Sequence, residues 1–403
     1  MKKIIKRLFL LITFLFISLI TILSTTGIET NKFNKVISDK ASQTKNINLK
    51  LETVEFKINL RQFRLFLETQ NPKISYRDIS IPIKNIKVYI EFISLIKSDP
   101  KINKINFNLE ELDIKQLNKL SLILKPSNFK SLLNNKIKEG QMASEVEIFF
   151  TDKGKIENYI AKGTLEDIKM ELFSGLNLTK LNMSFFADKN DVLFKKIFGN
   201  FEDVRITDGD VKLSLENGIK VNSNFNSKID FDEKLLSKYH KIFKKNQLFK
   251  NLRELKSDFN NTIYLDLDKT YKLKEYNYSI SGIVEKGLIE LLVPIKNNFI
   301  TEEVKKIYFS NSKISTNFSS NDKKFKGEGK YSLNNQNFLN FKLENNFTKD
   351  LTNLNLDFEY AGSLKYDLIN YRKSKDTTAN FFLNLEKKEN KLKIKKLDIK
   401  KKK

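Results

Sequence analysis

Few residues in this 403-residue chain have the type and spacing that catalysis or metal binding requires. The chain has one histidine, His240, and no cysteine, and it contains no HExxH or CxxC pattern that would provide a zinc or redox site. His240 lies in a basic stretch and is predicted to be a surface residue. The sequence therefore predicts no catalytic, cofactor-binding or metal-binding residue, and the protein is predicted not to be an enzyme.

Three acidic or glycine-containing motifs are explained more simply by secondary structure than by a catalytic, metal-binding or nucleotide-binding site. Asp266 and Asp268 are two residues apart in a predicted strand, where both carboxylates would lie on its solvated face. The DGD motif at residues 208–210 lacks the further alternating ligands of a calcium loop and predicts a hairpin turn. The GEG motif at residues 327–329 lacks the third glycine and the following helix of a dinucleotide loop, and it falls within a strand pattern.

The composition is that of a lysine-rich protein with a large apolar content. The net charge is +24, and 40% of the residues are hydrophobic, with 33 phenylalanines. Lysine is spread along almost every segment together with asparagine, isoleucine and phenylalanine, all residues of A- and T-rich codons. We therefore do not predict nucleic acid as a partner. A solvated basic exterior can instead adhere to anionic lipid headgroups.

The first 28 residues predict a membrane anchor. Lys2, Lys3, Lys6 and Arg7 precede an uncharged run at residues 8–28, which at about 1.5 Å per residue is long enough to cross a hydrocarbon core. The basic flank predicts a cytoplasmic N-terminus, with the rest of the chain in a periplasm or extracellular space. A cleaved signal peptide is the alternative, although no A-x-A-like site follows the run. The predicted anchor residues are Leu8, Phe9, Leu10, Phe14, Phe16, Leu19, Ile20, Ile22 and Leu23.

Alternation of apolar and polar residues dominates the chain after a polar stalk predicted at residues 29–45. This period of two is typical of strands with one dry face and one wet face. It defines a first β segment at residues 46–229 and a second at residues 260–403, with roughly 18 strands in all. The phase slips at Thr53, which predicts a bulge or a strand end. Asn217-Gly218 predicts a two-residue hairpin turn.

Helical spacing of apolar residues interrupts the strands at several places. Residues 61–70 have phenylalanine and leucine at helical spacing, and residues 115–138 predict two helices. Residues 230–259 predict one long amphipathic insertion, either a lid, plug or partner surface or an ordinary helix packed on a sheet. A further helix-like break falls at residues 364–372.

Few of these helices are available to cover so many strands, so the sheet should curl around its own apolar face. We expect a mainly β fold: one long curled antiparallel sheet, forming a groove or a partly open barrel, with a few amphipathic helices and one N-terminal transmembrane helix. The candidate groove-lining residues are Val54, Phe56, Ile58, Leu60, Ile105, Phe107, Leu109, Val211, Leu213, Leu215, Leu354, Leu356 and Phe358.

The N-terminal part of the chain resembles the AsmA-like family of envelope proteins. The resemblance is carried by the anchor, by the phrase PKISYRDISI at residues 72–81, by the SLI of a short predicted helix at residues 94–96, and by the strand at residues 105–114. It covers residues 1–114 by motif. It implies an inner-membrane anchor, a periplasmic location, and transfer of phospholipid between the two membranes of a diderm envelope in outer-membrane biogenesis. No catalytic residue is carried over.

The predicted partner is membrane phospholipid, whose acyl chains would lie in the groove. With strands about 4.8 Å apart, such a sheet would extend on the order of 85 Å. Because this length is short for crossing a periplasm alone, an envelope protein partner or an oligomer is also expected. Two alternatives remain open. A non-enzymatic envelope assembly factor would dock other proteins through exposed strand edges. A secreted β-sandwich binding protein would close its core and display polar loops.

Overall fold

The structure is a computed structural model that describes residues 2–29, 34, 38, 47–61, 64–76, 79–91, 101–121, 135–173, 175–239, 250–296, 300–320, 322–348, 351–367, 370–375, 377–388 and 391–401. The predicted fold class is confirmed, because the chain forms one long antiparallel sheet of about 22 strands with few helices and one N-terminal apolar helix. The sheet is not closed, which is consistent with a groove. The chain divides into two compact units, Met1–Phe194 (unit 1) and Lys195–Lys403 (unit 2).

Unit 1 begins with the apolar helix and continues as an antiparallel sheet. Its elements are α1 (Lys2–Thr25), β1 (Ile28–Glu29), β2 (Ile47–Lys50), β3 (Val54–Asn59), β4 (Arg64–Gln70), β5 (Lys73–Tyr76), β6 (Ile79–Ile90), β7 (Ile102–Leu109), β8 (Leu112–Asp113), α2 (Ile114–Ser121), β9 (Ile137–Phe150), β10 (Ile156–Phe173) and β11 (Leu176–Asp188). Backbone pairing follows the order β1, β3, β4, β6, β7, β9, β10, β11. Strand β5 pairs with β2 and with the first half of β6, and β8 pairs with β9.

Unit 2 is a meander in which strand order follows chain order. After β12 (Asp191–Phe201), which crosses the unit boundary, its elements are β13 (Val204–Ser214), β14 (Ile219–Phe231), α3 (Glu233–Tyr239), β15 (Leu252–Leu267), β16 (Leu273–Ile295), β17 (Val304–Ser319), β18 (Lys323–Leu333), β19 (Leu339–Phe347), β20 (Leu351–Tyr360), β21 (Leu364–Tyr366), β22 (Tyr371–Lys373), β23 (Ala379–Lys388) and β24 (Lys391–Lys401). Strands β13 to β20 pair in succession, followed by β23 and β24. Strands β21 and β22 form a separate hairpin.

Helix α1 has the length and composition of a membrane-spanning segment. It contains every predicted anchor residue, although it begins before the predicted run and ends before Gly27, which has a φ of 75°. Its threonine hydroxyls bond within the helix, as in the 2.8 Å bond from Thr13 Oγ1 to the Phe9 carbonyl, so they need no water. A secretory signal sequence has the same length and composition, so α1 is a candidate anchor or signal segment.

Several local predictions are confirmed by the strand pairing. Strand β2 ends before Thr53 and pairs with β5, whereas β3 pairs with β1 and β4, so the phase slip marks a strand end. The hairpin predicted at Asn217-Gly218 joins β13 to β14, with φ values of 57° and 129° at these two residues, but its loop is residues 215–218 and so has four residues instead of the predicted two. The GEG motif at residues 327–329 lies inside β18.

The predicted turn at residues 208–210 is wrong, because these residues lie in the middle of β13. Gly209 pairs with Phe225 of β14, and a Cβ atom at Gly209 would lie 3.0 Å from the Phe225 Cβ. The glycine therefore permits close cross-strand packing and does not form a turn.

The helical prediction for residues 61–70 is also wrong, because residues 64–70 form β4. This strand pairs on both edges, and its side chains from Leu65 to Thr69 are buried on both faces of the sheet. A strand that is buried on both faces has no alternation of apolar and polar residues, so it resembles a helix in periodicity.

The insertion predicted at residues 230–259 is helical only in part. Helix α3 begins after Asp232, whose Oδ1 accepts a 2.8 Å hydrogen bond from the Leu235 amide, as expected of an N-cap. Residues 240–249, which include His240, lie outside the described residues. From Leu252 onward the chain is strand β15, which corrects the prediction for residues 252–259.

The remaining helical predictions have mixed outcomes. Helix α2 confirms the first of the two predicted helices at residues 115–138, and Asp113 and Gln116 form a reciprocal capping box at its start. The second predicted helix falls mainly on residues 122–134, outside the described residues, and β9 begins at Ile137. The helix-like break at residues 364–372 is the β21–β22 hairpin. Residues 94–96 and most of the predicted stalk also lie outside the described residues.

Candidate functional site

All but one of the predicted groove-lining residues of unit 1 lie on one face of its sheet, on strands distant in sequence. Phe56 on β3 and Ile105 on β7 belong to one cross-strand row, and Val54 and Phe107 belong to the next. The first row is Phe56, Leu67, Val88, Ile105, Ile148 and Tyr159. The second is Val54, Thr69, Ile86, Phe107, Val146, Ala161 and Ala187.

The outer members of the predicted set in unit 1 are placed less uniformly. Ile58 pairs with Leu65 on the same face, and Leu109 pairs with Ile83 near the start of β6. Leu60 lies beyond the end of β3 and is exposed. The apolar face therefore includes Ile58 and Leu109 but not Leu60.

The apolar face of unit 2 is longer. Leu356 lies in a row that crosses nine strands from β14 to β24, and Leu354 and Phe358 occupy the rows on either side of it. The row through Leu356 is Ser227, Phe259, Gly282, Ile314, Gly327, Leu343, Leu356, Leu383 and Leu397. Val211 and Leu213 extend the same face onto β13, whereas Leu215 lies in the turn after β13 and is exposed.

The side chains of these faces are mostly half-buried. Ten of the thirteen candidate groove residues are half-buried, Val54 is buried, and Leu60 and Leu215 are exposed. A half-buried leucine packs on its neighbours and presents its remaining surface outward. The two faces therefore present rows of apolar surface that an apolar ligand can cover.

Aromatic rings concentrate on one part of the unit 2 face. Phe358 stacks on Phe381 with a centroid distance of 5.0 Å, and Tyr331 meets Phe341 edge to face at 6.1 Å. Such pairs contribute about 0.5–1.5 kcal/mol beyond the burial of their area. They stiffen the sheet across β18, β19, β20 and β23.

The two ends of the unit 2 face differ. At one end, α3 buries Leu236 and Tyr239 against Phe231, and the β21–β22 hairpin buries Leu364 against Tyr360. We call this the covered end. At the other end the strands are joined by short turns, and exposed apolar side chains remain: Leu215, Phe318, Phe347 and Leu392. We call this the open end.

A buried lysine helps to hold the covered end together. Lys373 Nζ donates hydrogen bonds of 2.7 Å to the Gly362 carbonyl and 3.1 Å to the Ser374 carbonyl. It also lies 5.5 Å from the ring centroid of Tyr360. Burial lowers the pKa of Lys373 below its ordinary value, because the charged form loses hydration.

The structure also contains polar groups within the apolar face of unit 2 that the sequence did not indicate. Asn261 is buried, and its Nδ2 donates a 2.8 Å hydrogen bond to Ser227 Oγ. The Tyr278 hydroxyl donates to Asn261 Oδ1 at 3.0 Å, and burial raises the Tyr278 pKa. Ser257 and Thr316 are buried nearby, and their hydroxyls have no hydrogen-bond partner within the described part of the chain.

The opposite face of unit 1 contains a second unpredicted feature, a ladder of paired charges in which Glu68 and Lys104 are buried. Lys57 Nζ lies 2.5 Å from Glu55 and 3.0 Å from Glu68, and Lys87 also pairs with Glu68 at 3.4 Å. Burial disfavours the charge of Lys57, but the hydrogen bonds to both carboxylates outweigh it and raise the Lys57 pKa.

The ladder continues across β7, β9 and β10. Lys104 pairs with Glu147 at 3.3 Å, and Lys162 pairs with Glu145 at 3.0 Å. Burial disfavours the Glu145 carboxylate, but hydrogen bonds from Asn106 and Lys162 outweigh it and lower the Glu145 pKa. Every charge named here has an opposite partner, so we interpret the ladder as structural.

The acidic motifs do not form a reactive site. Asp266 lies in β15, but Asp268 lies in the following turn, where its Oδ1 accepts hydrogen bonds from Thr270 and Lys272, so the prediction of a shared strand face is wrong. The hydrogen bonds from Thr270 and from the backbone lower the Asp268 pKa. Within the part of the chain that the structure describes, no three His, Asp or Glu side chains are grouped as a metal site would require.

The fold and this face define a class of protein: an open antiparallel sheet, apolar along one face, joined to an N-terminal helix long and apolar enough to cross a membrane. Comparisons with protein-family models, with curated proteins and with solved structures gave no match for this chain. The class therefore rests on the geometry of the chain itself.

Proposed function

We propose that this chain is an AsmA-like envelope protein, anchored in the inner membrane by α1, whose periplasmic sheet carries phospholipid acyl chains between membranes and so serves outer-membrane biogenesis. The single observation that supports this proposal is the open, half-buried apolar face, which in unit 2 continues across nine paired strands through Leu356.

The energetics of lipid transfer explain why such a face is useful. Moving a two-chain lipid through water exposes roughly 30 methylenes at about 0.8 kcal/mol each, a cost on the order of 24 kcal/mol. Acyl chains that lie on leucine and phenylalanine rows stay out of water, while the headgroup remains in solvent at the open side of the sheet. No covalent step is needed for this activity.

The open sheet also bears on the alternative functions. A secreted sandwich would seal its apolar residues between two packed sheets, whereas this sheet is not closed and its apolar rows are half-exposed. An assembly factor would need a strand edge suited to pairing, whereas β24, which pairs with β23 alone among the described strands, carries six lysines that discourage such pairing. We therefore prefer lipid carriage to both alternatives.

Photo-crosslinking in the native membrane tests the proposal on the full-length chain. A photoreactive phenylalanine analogue is placed at Leu356 on the apolar face, or at the adjacent Asp357 on the polar face, in cells labelled with radioactive phosphate. We expect a phospholipid adduct at Leu356 and none at Asp357, because successive strand residues point to opposite faces.

A second pair on β13 controls for local effects. Leu213 faces the apolar side and Lys212 faces the polar side. Equal labelling of both faces, or labelling of neither apolar position in a folded and membrane-bound chain, would contradict acyl-chain carriage.

A further inference from the structure

Strand β24 is strongly amphipathic. Its eleven residues include six lysines and one aspartate. Its apolar side chains continue the face of unit 2, yet Leu392, Ile394 and Leu397 are 66%, 60% and 51% exposed. The strand therefore combines a row of exposed apolar side chains with a strongly basic opposite side.

Among the described residues, two of the β24 lysines have no carboxylate partner. Lys395 pairs with Glu386 at 3.0 Å, and Lys396 pairs with Asp398 at 3.0 Å. Lys393 and Lys400 lie on the polar side, opposite Glu386 and Asn380 in register. Neither of these two lysines has a carboxylate within ion-pair distance among the residues that the structure describes.

We infer that β24 docks unit 2 on the surface of an anionic phospholipid bilayer. With the edge of β24 toward the bilayer, Leu392, Ile394 and Leu397 enter the boundary between headgroups and acyl chains from one side, and the lysines reach the phosphates from the other. The apolar row and the basic row are the two components that interfacial binding requires, and here they occupy opposite sides of one strand. This inference deepens the proposed function, since it specifies the membrane surface that unit 2 contacts.

A bilayer fits this strand better than an added β-strand does. Lysine on an edge strand discourages pairing with another chain, and a second copy of β24 would bring two rows of lysines together. An anionic surface instead neutralises them, at about 1 kcal/mol or roughly fivefold in affinity for each lysine near the surface.

A second exposed apolar patch, which has no unpaired basic row among the described residues, allows the contribution of the β24 lysines to membrane binding to be measured. Leu292 and Val293 at the end of β16 are 64% and 80% exposed, so they match β24 in apolar exposure. Nearby, Arg253 pairs with Glu290 at 2.9 Å and with Glu233 at 3.5 Å, and Lys306 pairs with Glu290 at 3.6 Å, so these two cations have two carboxylate partners. This patch provides a matched control.

The test uses the full-length chain held through α1 in phosphatidylcholine nanodiscs, so that α1 does not insert into the target vesicles. The nanodiscs are mixed with vesicles of phosphatidylcholine alone or with added phosphatidylglycerol, and binding is measured by flotation. We expect binding only to the vesicles that contain phosphatidylglycerol, weakening as salt is raised.

Two pairs of variants locate the contact. Lys393Gln/Lys400Gln should weaken binding on the order of 25-fold, whereas Lys324Gln/Lys330Gln, the same charge change on the polar side of β18, should change it less than about threefold. Leu392Gln/Ile394Gln should also weaken binding, and Leu292Gln/Val293Gln should not. The phospholipid adduct at Leu356 should persist in both lysine variants and in Leu292Gln/Val293Gln, none of which changes a residue of the apolar face.

Equal binding to neutral vesicles, or equal losses in the β24 and control variants, would overturn the inference. The inference would also be overturned if the unmodified chain did not bind vesicles and instead held a strand of another protein paired with β24. If instead vesicle binding follows β24 but no adduct forms at Leu356, the docking inference survives and acyl-chain carriage fails.

Discussion

Replacing three leucines on the apolar face of unit 2 should remove bound lipid while leaving the sheet intact. Leu343, Leu356 and Leu383 lie side by side on β19, β20 and β23. In the variant Leu343Thr/Leu356Thr/Leu383Thr, each replacement keeps a side chain that favours strands and adds a hydroxyl to the proposed acyl-chain path.

The magnitude follows from the half-burial of these side chains. A fully buried leucine contributes about 2 kcal/mol, and about half of that is already provided by neighbouring side chains in the lipid-free sheet. An acyl chain that covers the exposed half therefore gains about 1 kcal/mol per leucine. Three replacements should cost about 3 kcal/mol of lipid affinity, or roughly 100-fold.

The assay is mass spectrometry of phospholipid that co-purifies with the full-length chain, with circular dichroism as the measure of folding. The matched control is Lys342Thr/Asp357Thr/Phe382Thr, a row on the same three strands that faces the opposite side. The control should keep its lipid. If the leucine variant stays folded and retains as much lipid as the unmodified chain, or if both rows lose it equally, the apolar face is not the binding surface.

Three further predictions concern stability and membrane association. Asp203 accepts a 2.5 Å hydrogen bond from the Tyr239 hydroxyl, which together with an ion pair to a neighbouring lysine lowers the Asp203 pKa. Its stabilisation is therefore present at neutral pH and lost as pH falls through that lowered pKa, so Asp203Asn should lower the melting temperature at pH 7 and matter little well below pH of about 4. Gly329Ala should destabilise unit 2 in chemical denaturation by about 1–3 kcal/mol, because the new methyl would lie 2.5 Å from the Ser312 Cα. Phe14Arg in α1 should shift the chain from the alkali-resistant membrane pellet toward the supernatant, because arginine at the centre of a spanning helix costs about 3 kcal/mol.

The strands that the sequence predicted best are those with one wet face. In β14, lysine, asparagine and aspartate alternate strictly with less exposed residues from Ile219 to Phe231, so periodicity alone finds the strand and its apolar side. The hairpin at Asn217-Gly218 follows from the same pattern, because both residues accept positive φ values. In such segments the local sequence pattern is sufficient to predict the strand and the turn.

Strand β15 shows why periodicity failed elsewhere. Its inward positions include Ser257 and Asn261, which are buried but polar, so the apolar residues that remain, such as Leu252, Leu255 and Phe259, lie at helical spacing. Only the pairing with β14 shows that Asn261 faces inward and bonds to Ser227. The buried polar residues of β15 thus interrupted the alternation by which a strand is predicted.

The charge ladder of unit 1 could not have been predicted without strand register. Lys57, Glu68 and Lys87 belong to three different strands, and nothing in their local sequence distinguishes them from solvated lysines and glutamates. They become partners only because β4 lies between β3 and β6. Register also placed Phe56 and Ile105 in one row, which the sequence could propose only as two separate strands.

Under the proposed function, the difference between the two ends of unit 2 predicts where lipid enters the apolar face. At the covered end, α3 and the β21–β22 hairpin already occupy the apolar surface, so an acyl chain would have to displace Leu236 or Leu364, both almost fully buried. At the open end, Phe318 and Phe347 are exposed, so the described part of the chain presents apolar surface there to an acyl chain. We therefore expect photoreactive side chains at Phe318 to label with phospholipid faster after a pulse of new lipid than those at Phe358. Simultaneous labelling at both positions would instead indicate sideways entry along the whole face.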